Sequence, residues 1–184
     1  GNDFKEDLNT IRTELEDLTD ILNEILLYAS PKNQTHYVKT DIKNIIEKTI
    51  RLLSKEAQNS GIEIQFDLDY EIVLNSIPSK IKEILFNLIL NGIQACKDEG
   101  NIIKIEVEEI DNNIIIKIKD NGPGIDSEED VFEPFFTTKE NGTGLGLAIV
   151  KSKVDELGGK INAKNGNKGG VEFIVNLPKK DMAW

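Results

Sequence analysis

Glu83, Asn87 and Asn91 lie four residues apart, so on an α-helix their polar heads leave one face. The residues between them are apolar (Ile84, Leu85, Phe86, Leu88, Ile89, Leu90), so the helix is otherwise fit for burial and its polar stripe must meet something polar. Carboxamide oxygens are hard acceptors suited to Mg²⁺, which takes few protein ligands and fills its shell with phosphates and water. Solvated or helix-bending asparagines would give the same pattern. A second cluster, Asp120-Asn121-Gly122-Pro123-Gly124, has the composition of a tight turn whose backbone approaches a ligand closely. An Asp at the root of such a turn can accept a hydrogen bond from an exocyclic amine such as that of adenine; a plain turn reads the same way. In Phe132-Glu133-Pro134-Phe135-Phe136-Thr137-Thr138-Lys139, two adjacent phenylalanines in a polar segment are expected to anchor a mobile loop, with Lys139 reaching phosphate as a point charge. Gly142-Thr143-Gly144-Leu145-Gly146-Leu147 opens a helix, where backbone amides and the helix N-terminus favour an anion. No Gly-Lys-Ser/Thr follows it, which excludes a P-loop, and it succeeds a loop rather than the first strand of a dinucleotide-binding unit.

These groups need a scaffold, and the hydrophobic pattern predicts one. Phe4, Leu8, Ile11, Leu15, Leu18, Leu22 and Ile25 alternate steps of four and three, a heptad seam on a helix over 4–28. Such a helix has little stability alone, so the stripe is expected to be covered, by the helix of a dimer partner or by the chain's own domain. Ser30-Pro31-Lys32-Asn33-Gln34 ends it as a linker. Thr40 or Asp41 caps a second helix running to about Gln58. Ile62, Ile64, Phe66 and Leu68 alternate with polar residues as a half-buried strand. The helix carrying the asparagines starts near Pro78 and runs to Gly100. Strands Ile103–Glu108 and Ile114–Lys119, joined by Asp111-Asn112-Asn113, form a hairpin. A helix over Gly144–Glu156 and strands Lys160–Ala163 and Val171–Leu177 complete an α/β sandwich with its helices on one side.

With 39% hydrophobic and 30% charged residues, the chain is globular rather than disordered, and no run approaches the ~20 apolar residues of a membrane span. A cytoplasmic location is expected, which the lone Cys96 fits. The leading Gly and the lack of an initial Met suggest a piece of a longer chain, whose membrane anchoring stays open. The net charge of −11 without a basic cluster argues against nucleic acid. An anionic nucleotide then needs a metal ion and local donors to overcome the overall field.

In this order, the asparagine helix, the Asp-x-Gly-x-Gly turn, the Phe-Phe-Thr-Thr-Lys loop and the Gly-Thr-Gly-Leu-Gly-Leu helix start resemble the conserved boxes of the gyrase/Hsp90/histidine kinase/MutL ATPase superfamily. Phe-Glu-Pro-Phe-Phe-Thr-Thr-Lys followed closely by Gly-Thr-Gly-Leu-Gly-Leu-Ala-Ile-Val is similar to the catalytic domain of two-component sensor histidine kinases. The resemblance covers roughly 38–178 and implies an α+β fold: a two-layer α/β sandwich of Bergerat type, its mixed sheet covered by helices on one face. Residues 1–30 resemble the C-terminal helix of the dimerisation domain, with 31–37 as linker and 38–184 as the ATP-binding domain. Carried over by position, the resemblance implies that Asn91 ligates Mg²⁺ and Asn87 sits beside the phosphates. Asp120 would take the adenine amine, with Gly122, Gly124 and Ile125 shaping that wall. Thr138, Lys139, Gly142, Thr143, Gly144, Leu145, Gly146 and Leu147 would hold the triphosphate of ATP, inside a lid spanning 125–143. Three positions depart from the family's pattern: Gly92 where Ala is preferred, which loosens the helix by about 1 kcal/mol, Val171 where a hydroxyl is common, and Ile77 where an Asp usually caps.

Kinases of this type phosphorylate a histidine on the first dimerisation helix. The only histidine, His36, stands in the linker without the acceptor pattern, so the acceptor is expected on a segment upstream of this one. The partners implied are a dimerisation domain carrying that histidine, a second copy joined through 4–28, and a response-regulator receiver domain. A Ser/Thr protein kinase of the same superfamily and a non-catalytic nucleotide-binding or dimerisation module remain the competing readings.

Overall fold

The computed structural model describes residues 36–97, 99–128, 130–137, 142–166 and 169–179. The heptad stripe of 4–28, the Pro31 linker, Thr138 and Lys139 lie outside the described residues. Strand β1 (Val38–Asp41) runs directly into helix α1 (Ile42–Asn59). The start is fixed by Asp41, whose Oδ1 accepts from the Asn44 backbone N–H at 3.1 Å. Thr40, the other expected cap, is buried and donates instead to the Val38 carbonyl at 2.9 Å. Ile42, Ile46, Thr49, Leu53 and Ala57 form the buried face of α1 at the expected helical spacing.

Strand β2 (Glu63–Phe66) is shorter than its alternating pattern, and β3 (Val73–Ser76) follows a loop. Helix α2 (Pro78–Cys96) begins at Pro78 as expected and ends before Gly100. The hairpin of β4 (Ile102–Ile110) and β5 (Asn113–Asp120) is longer than its apolar cores suggested, and Asp111, at φ 53°, makes the reversal with Asn112. A 3₁₀ turn over Asp130–Phe132 precedes helix α3 (Gly146–Glu156), strand β6 (Lys160–Asn165) and strand β7 (Val171–Pro178).

The five-stranded sheet runs β2-β4-β5-β7-β6, with β2 and β4 parallel and the other pairs antiparallel. β1 and β3 form a separate antiparallel pair, which the sequence reading did not anticipate. One face of the large sheet presents Ile103, Ile105, Val107, Ile114, Ile116, Ile118, Phe173, Val175 and Leu177, all buried in one core with α1, α2 and α3. The other face carries alternating charges. Glu106 holds Lys104 and Lys119, and Glu172 holds Lys119 and Lys164, so ion pairs cross four strands. This is the expected two-layer arrangement, helices on one face of a mixed sheet. It puts the end of central strand β5 beneath α2 and beside the start of α3. Among the described residues, no helix is long and apolar enough to cross a membrane.

Candidate functional site

A cavity of about 670 Å³ opens between α2, the turn after β5 and the N-terminus of α3. Asn87 and Asn91 line it from α2, joined by Gln94 and Ala95 one turn further on. Asn87 Nδ2 donates to the Glu83 carbonyl at 2.9 Å, which fixes which end of the carboxamide is presented. A Cβ placed on Gly146, the first residue of α3, would lie 3.6 Å from Asn87 Oδ1. The amide oxygen of one helix and the amino end of the other are therefore neighbours. Glu83, grouped with these residues in the sequence, does not line the cavity. Burial pushes its carboxyl up, Lys153 pulls it down, Glu156 raises it and Lys80 lowers it, as expected of a group set among the charges joining α2 to α3. Lys80 pairs with Glu156 at 2.6 Å across the same seam.

At the far side of the cavity, Asp120 ends β5. Its Oδ1 accepts from the backbone N–H of Gly122 at 3.0 Å and of Val171 at 3.1 Å. Two amide donors stabilise the carboxylate and fix its plane. Asn121 faces the other way and closes the loop before β4, its Oδ1 accepting from the N–H groups of Asn101 and Ile102, both at 2.9 Å. The turn then continues through Pro123, Gly124 and Ile125 along the cavity wall.

The glycine segment forms the third wall. Gly144 is at φ 66°, a left-handed conformation that cannot be part of a helix, so α3 starts at Gly146, two residues later than its glycines suggest. Leu145 occupies the N-cap without a side-chain cap bond. The first amides of α3 are thus not taken up by a capping side chain, and Gly146 and Leu147 line the cavity. The phenylalanine segment packs against this loop. Phe135 N–H donates to the Gly144 carbonyl at 3.0 Å, and a Cβ on Gly144 would come within 2.5 Å of the Phe135 carbonyl carbon.

The expectation that Phe135 and Phe136 anchor the loop needs correction. Phe135 is 76% exposed, with its backbone at φ 68°, and Phe136 is 37% exposed at the cavity rim. The anchors are Val131 and Phe132, which are buried; Phe132 meets Phe173 edge-on with ring centroids 6.3 Å apart.

Of the residues singled out in the sequence, Asn87, Asn91, Asp120, Gly124, Ile125, Gly142, Thr143, Gly144, Gly146 and Leu147 line this one cavity. Gly122 and Leu145 support it from behind: Gly122 through its bond to Asp120, and Leu145 as the helix cap beside Thr143. Leu90, Gln94, Pro123, Val131, Phe136 and Thr137 also line it and were not singled out as ligand-holding residues, and Val171 lines it at the position where the family often has a hydroxyl. Gln94 could have been found, since it lies three residues beyond Asn91 on the same helix. Leu90 could not, because one apolar residue among the others of an apolar helix carries no mark of a ligand. Among the described residues, no group of His, Cys, Asp or Glu is arranged to hold a metal ion unaided.

Residues 76–181 match the family described as histidine kinase-, DNA gyrase B- and HSP90-like ATPase. The chain is 32% identical over 179 residues to sporulation kinase E of Bacillus subtilis, covering 95% of this chain and 24% of that protein. It is also 32% identical over 181 residues to the sensor histidine kinase ZraS of Salmonella typhi, covering 97% of this chain and 39% of that one. It therefore spans well under half the length of these relatives. Among solved structures, the catalytic domain of histidine kinase ThkA superposes with a TM-score of 0.72 at 34% identity, covering 79% of this chain and 97% of that chain. ThkA in complex with the response regulator protein TrrA superposes with a TM-score of 0.74 at 31% identity, covering 94% of this chain and 50% of that chain. The cavity walls fall within the matched segment, and this chain belongs to the histidine kinase-, DNA gyrase B- and HSP90-like ATPase family, within which it holds the catalytic ATP-binding domain of a sensor histidine kinase.

Proposed function

We propose that this domain binds Mg·ATP in the cavity between α2 and α3 and donates the γ-phosphoryl group to a histidine of a dimerisation domain. The observation that carries the reading is the convergence of the Asn87 and Asn91 carboxamides with the amino end of α3, with the Asp120 carboxylate across the same cavity. Adenine would enter on the Asp120 side, its exocyclic amine donating to the carboxylate. Gly122, Gly124, Ile125 and Val171 would form the wall behind it. The phosphates would lie along the amides of Gly144–Leu147, with Gly142, Thr143, Thr138 and Lys139 completing the enclosure and Lys139 supplying the positive charge.

The donor set fits a magnesium ion held mainly by phosphate and water. Carboxamide oxygens on one helix face suit it, and among the described residues no carboxylate or histidine cluster takes the place of the nucleotide's own oxygens. Asn91 would be its protein ligand, with Asn87 adjacent. When bound, the ion neutralises charge on the phosphates. The chain's residues hold the triphosphate, fix the base and keep the terminal phosphorus facing the opening. There the acceptor imidazole nitrogen attacks as the bond to the bridging oxygen breaks and ADP departs. Positioning and charge stabilisation are what this reaction chiefly needs.

In this reading residues 1–30 form the second helix of the dimerisation domain, pairing two copies through 4–28, and the acceptor histidine is another residue than His36. The phosphoryl group would pass on to a response-regulator receiver domain; ThkA was solved in complex with the response regulator protein TrrA. The reading is tested by calorimetry with ADP. Binding in Mg²⁺ is expected, and Asn91→Ala should weaken it at least about tenfold, or ~1.4 kcal/mol, while affinity in EDTA stays the same for both chains. Unchanged affinity of Asn91→Ala in Mg²⁺ would favour a non-catalytic module.

A further inference from the structure

The turn from Asp120 to Ile125 is gripped at both ends by one pair of residues. Asn165 and Val171 are opposite each other in the β6–β7 register. Val171 gives its backbone N–H to Asp120 at the start of the turn. Asn165 holds the end of it: Oδ1 accepts from the Ile125 N–H at 2.8 Å, and Nδ2 donates to the Ile125 carbonyl at 2.7 Å. This carboxamide makes both bonds that a neighbouring strand would exchange with Ile125. Its own backbone N–H donates to Glu128 Oε1 at 3.0 Å, tying the next residues to the same strand. The fit is close, because a Cβ on Gly124, at φ 93°, would lie 2.7 Å from Asn165 Oδ1.

We propose that Asn165 is a positioning residue for nucleotide binding. Resting on the nucleotide reading above, it sets the Gly124–Ile125 wall against which the base lies, and so aligns that wall with the Asp120 carboxylate. Asn165 does not itself line the cavity and is exposed, so its bonds compete with water and contribute little to folding. Their consequence falls on the geometry of the turn.

The test compares the unaltered chain with Asn165→Ala and Asn165→Asp by ADP calorimetry in Mg²⁺ and in EDTA, and by thermal melting without nucleotide. Released from Asn165, the turn holds the binding arrangement only part of the time, and a roughly tenfold weaker ADP affinity is expected in Asn165→Ala. The factor by which Mg²⁺ strengthens binding should stay the same, because the phosphate end is untouched, and the melting midpoint should fall by no more than about 3 °C. Asn165→Asp keeps the acceptor for the Ile125 N–H but loses the donor to its carbonyl. It is expected to lose affinity as well, and carries the test should Asn165→Ala not fold. An ADP affinity within twofold of the unaltered chain overturns the proposal, and so does loss of the Mg²⁺ enhancement together with affinity, which would indicate general loosening. Failure of the unaltered chain to bind ADP would instead sink the nucleotide reading itself, and is seen without any substitution.

Discussion

Gly170 stands at φ 75°, and a Cβ added there would lie 2.0 Å from the Asp120 carbonyl oxygen. No side chain fits between the start of β7 and the end of β5. Gly170→Ala is expected to lower stability by more than about 2 kcal/mol, read as a urea midpoint, since it adds left-handed strain to a backbone clash. A neutral result would mean that the two strands are held apart. Beside it, Val171 accounts for one departure from the family pattern: what it gives Asp120 is a backbone N–H, which any residue but proline supplies. Gly92 accounts for another, since a Cβ there would press within 3.1 Å of Ile103 Cδ1 in the core. Sequence spacing located Asn87, Asn91 and Asp120 because their chemistry shows in short motifs. It missed Asn165, whose partner Ile125 is 40 positions away and is recognised by an ordinary amide.

Element boundaries followed local chemistry where local chemistry acts. Asp41 and Pro78 start their helices where expected, and alternating isoleucines gave β4 and β5. The small β1–β3 sheet was not legible, because Val38–Asp41 has no clear alternation and pairs with a segment far along the chain. The start of α2 shows which effect wins at a shared position. Ile77 caps the helix without a side-chain bond and is 4% exposed, in the core. Ile77→Asp would gain a cap worth about 1 kcal/mol. It would also lose about 2 kcal/mol of apolar burial and desolvate a carboxylate. The substitution is therefore expected to be destabilising by more than about 1 kcal/mol in chemical denaturation, and a gain in stability would show that Ile77 contributes little to the core.

For the molecule as a whole, the net charge of −11 opposes an anionic ligand, and the charged residues of the outer sheet face are organised into ion pairs among themselves. Glu106 lies between Lys104 and Lys119, whose hydrogen bonds pull its carboxyl from 4.5 down to about 2. A depressed carboxyl stabilises the fold above its unfolded value, and that stabilisation is lost as pH falls from about 4.5 toward about 2. The difference in unfolding free energy between the unaltered chain and Glu106→Gln should thus be about 1 kcal/mol near neutrality, allowing for solvent screening. It should shrink across that acidic window; a difference independent of pH would contradict the role given to the lysines. The same sheet, closed on its other face by three helices, carries Asp120 to the cavity that α2 and α3 bound. Binding at one ligand must therefore be felt by walls distant in sequence. Titrating Mg·ADP into isotopically labelled chain, followed by NMR, tests this directly. The side-chain amides of Asn87 and Asn91 and the backbone amides of Gly122, Gly124, Ile125 and Gly144–Leu147 should shift together along one binding curve. Shifts confined to one of these walls, or none at saturating nucleotide, would contradict a single shared site.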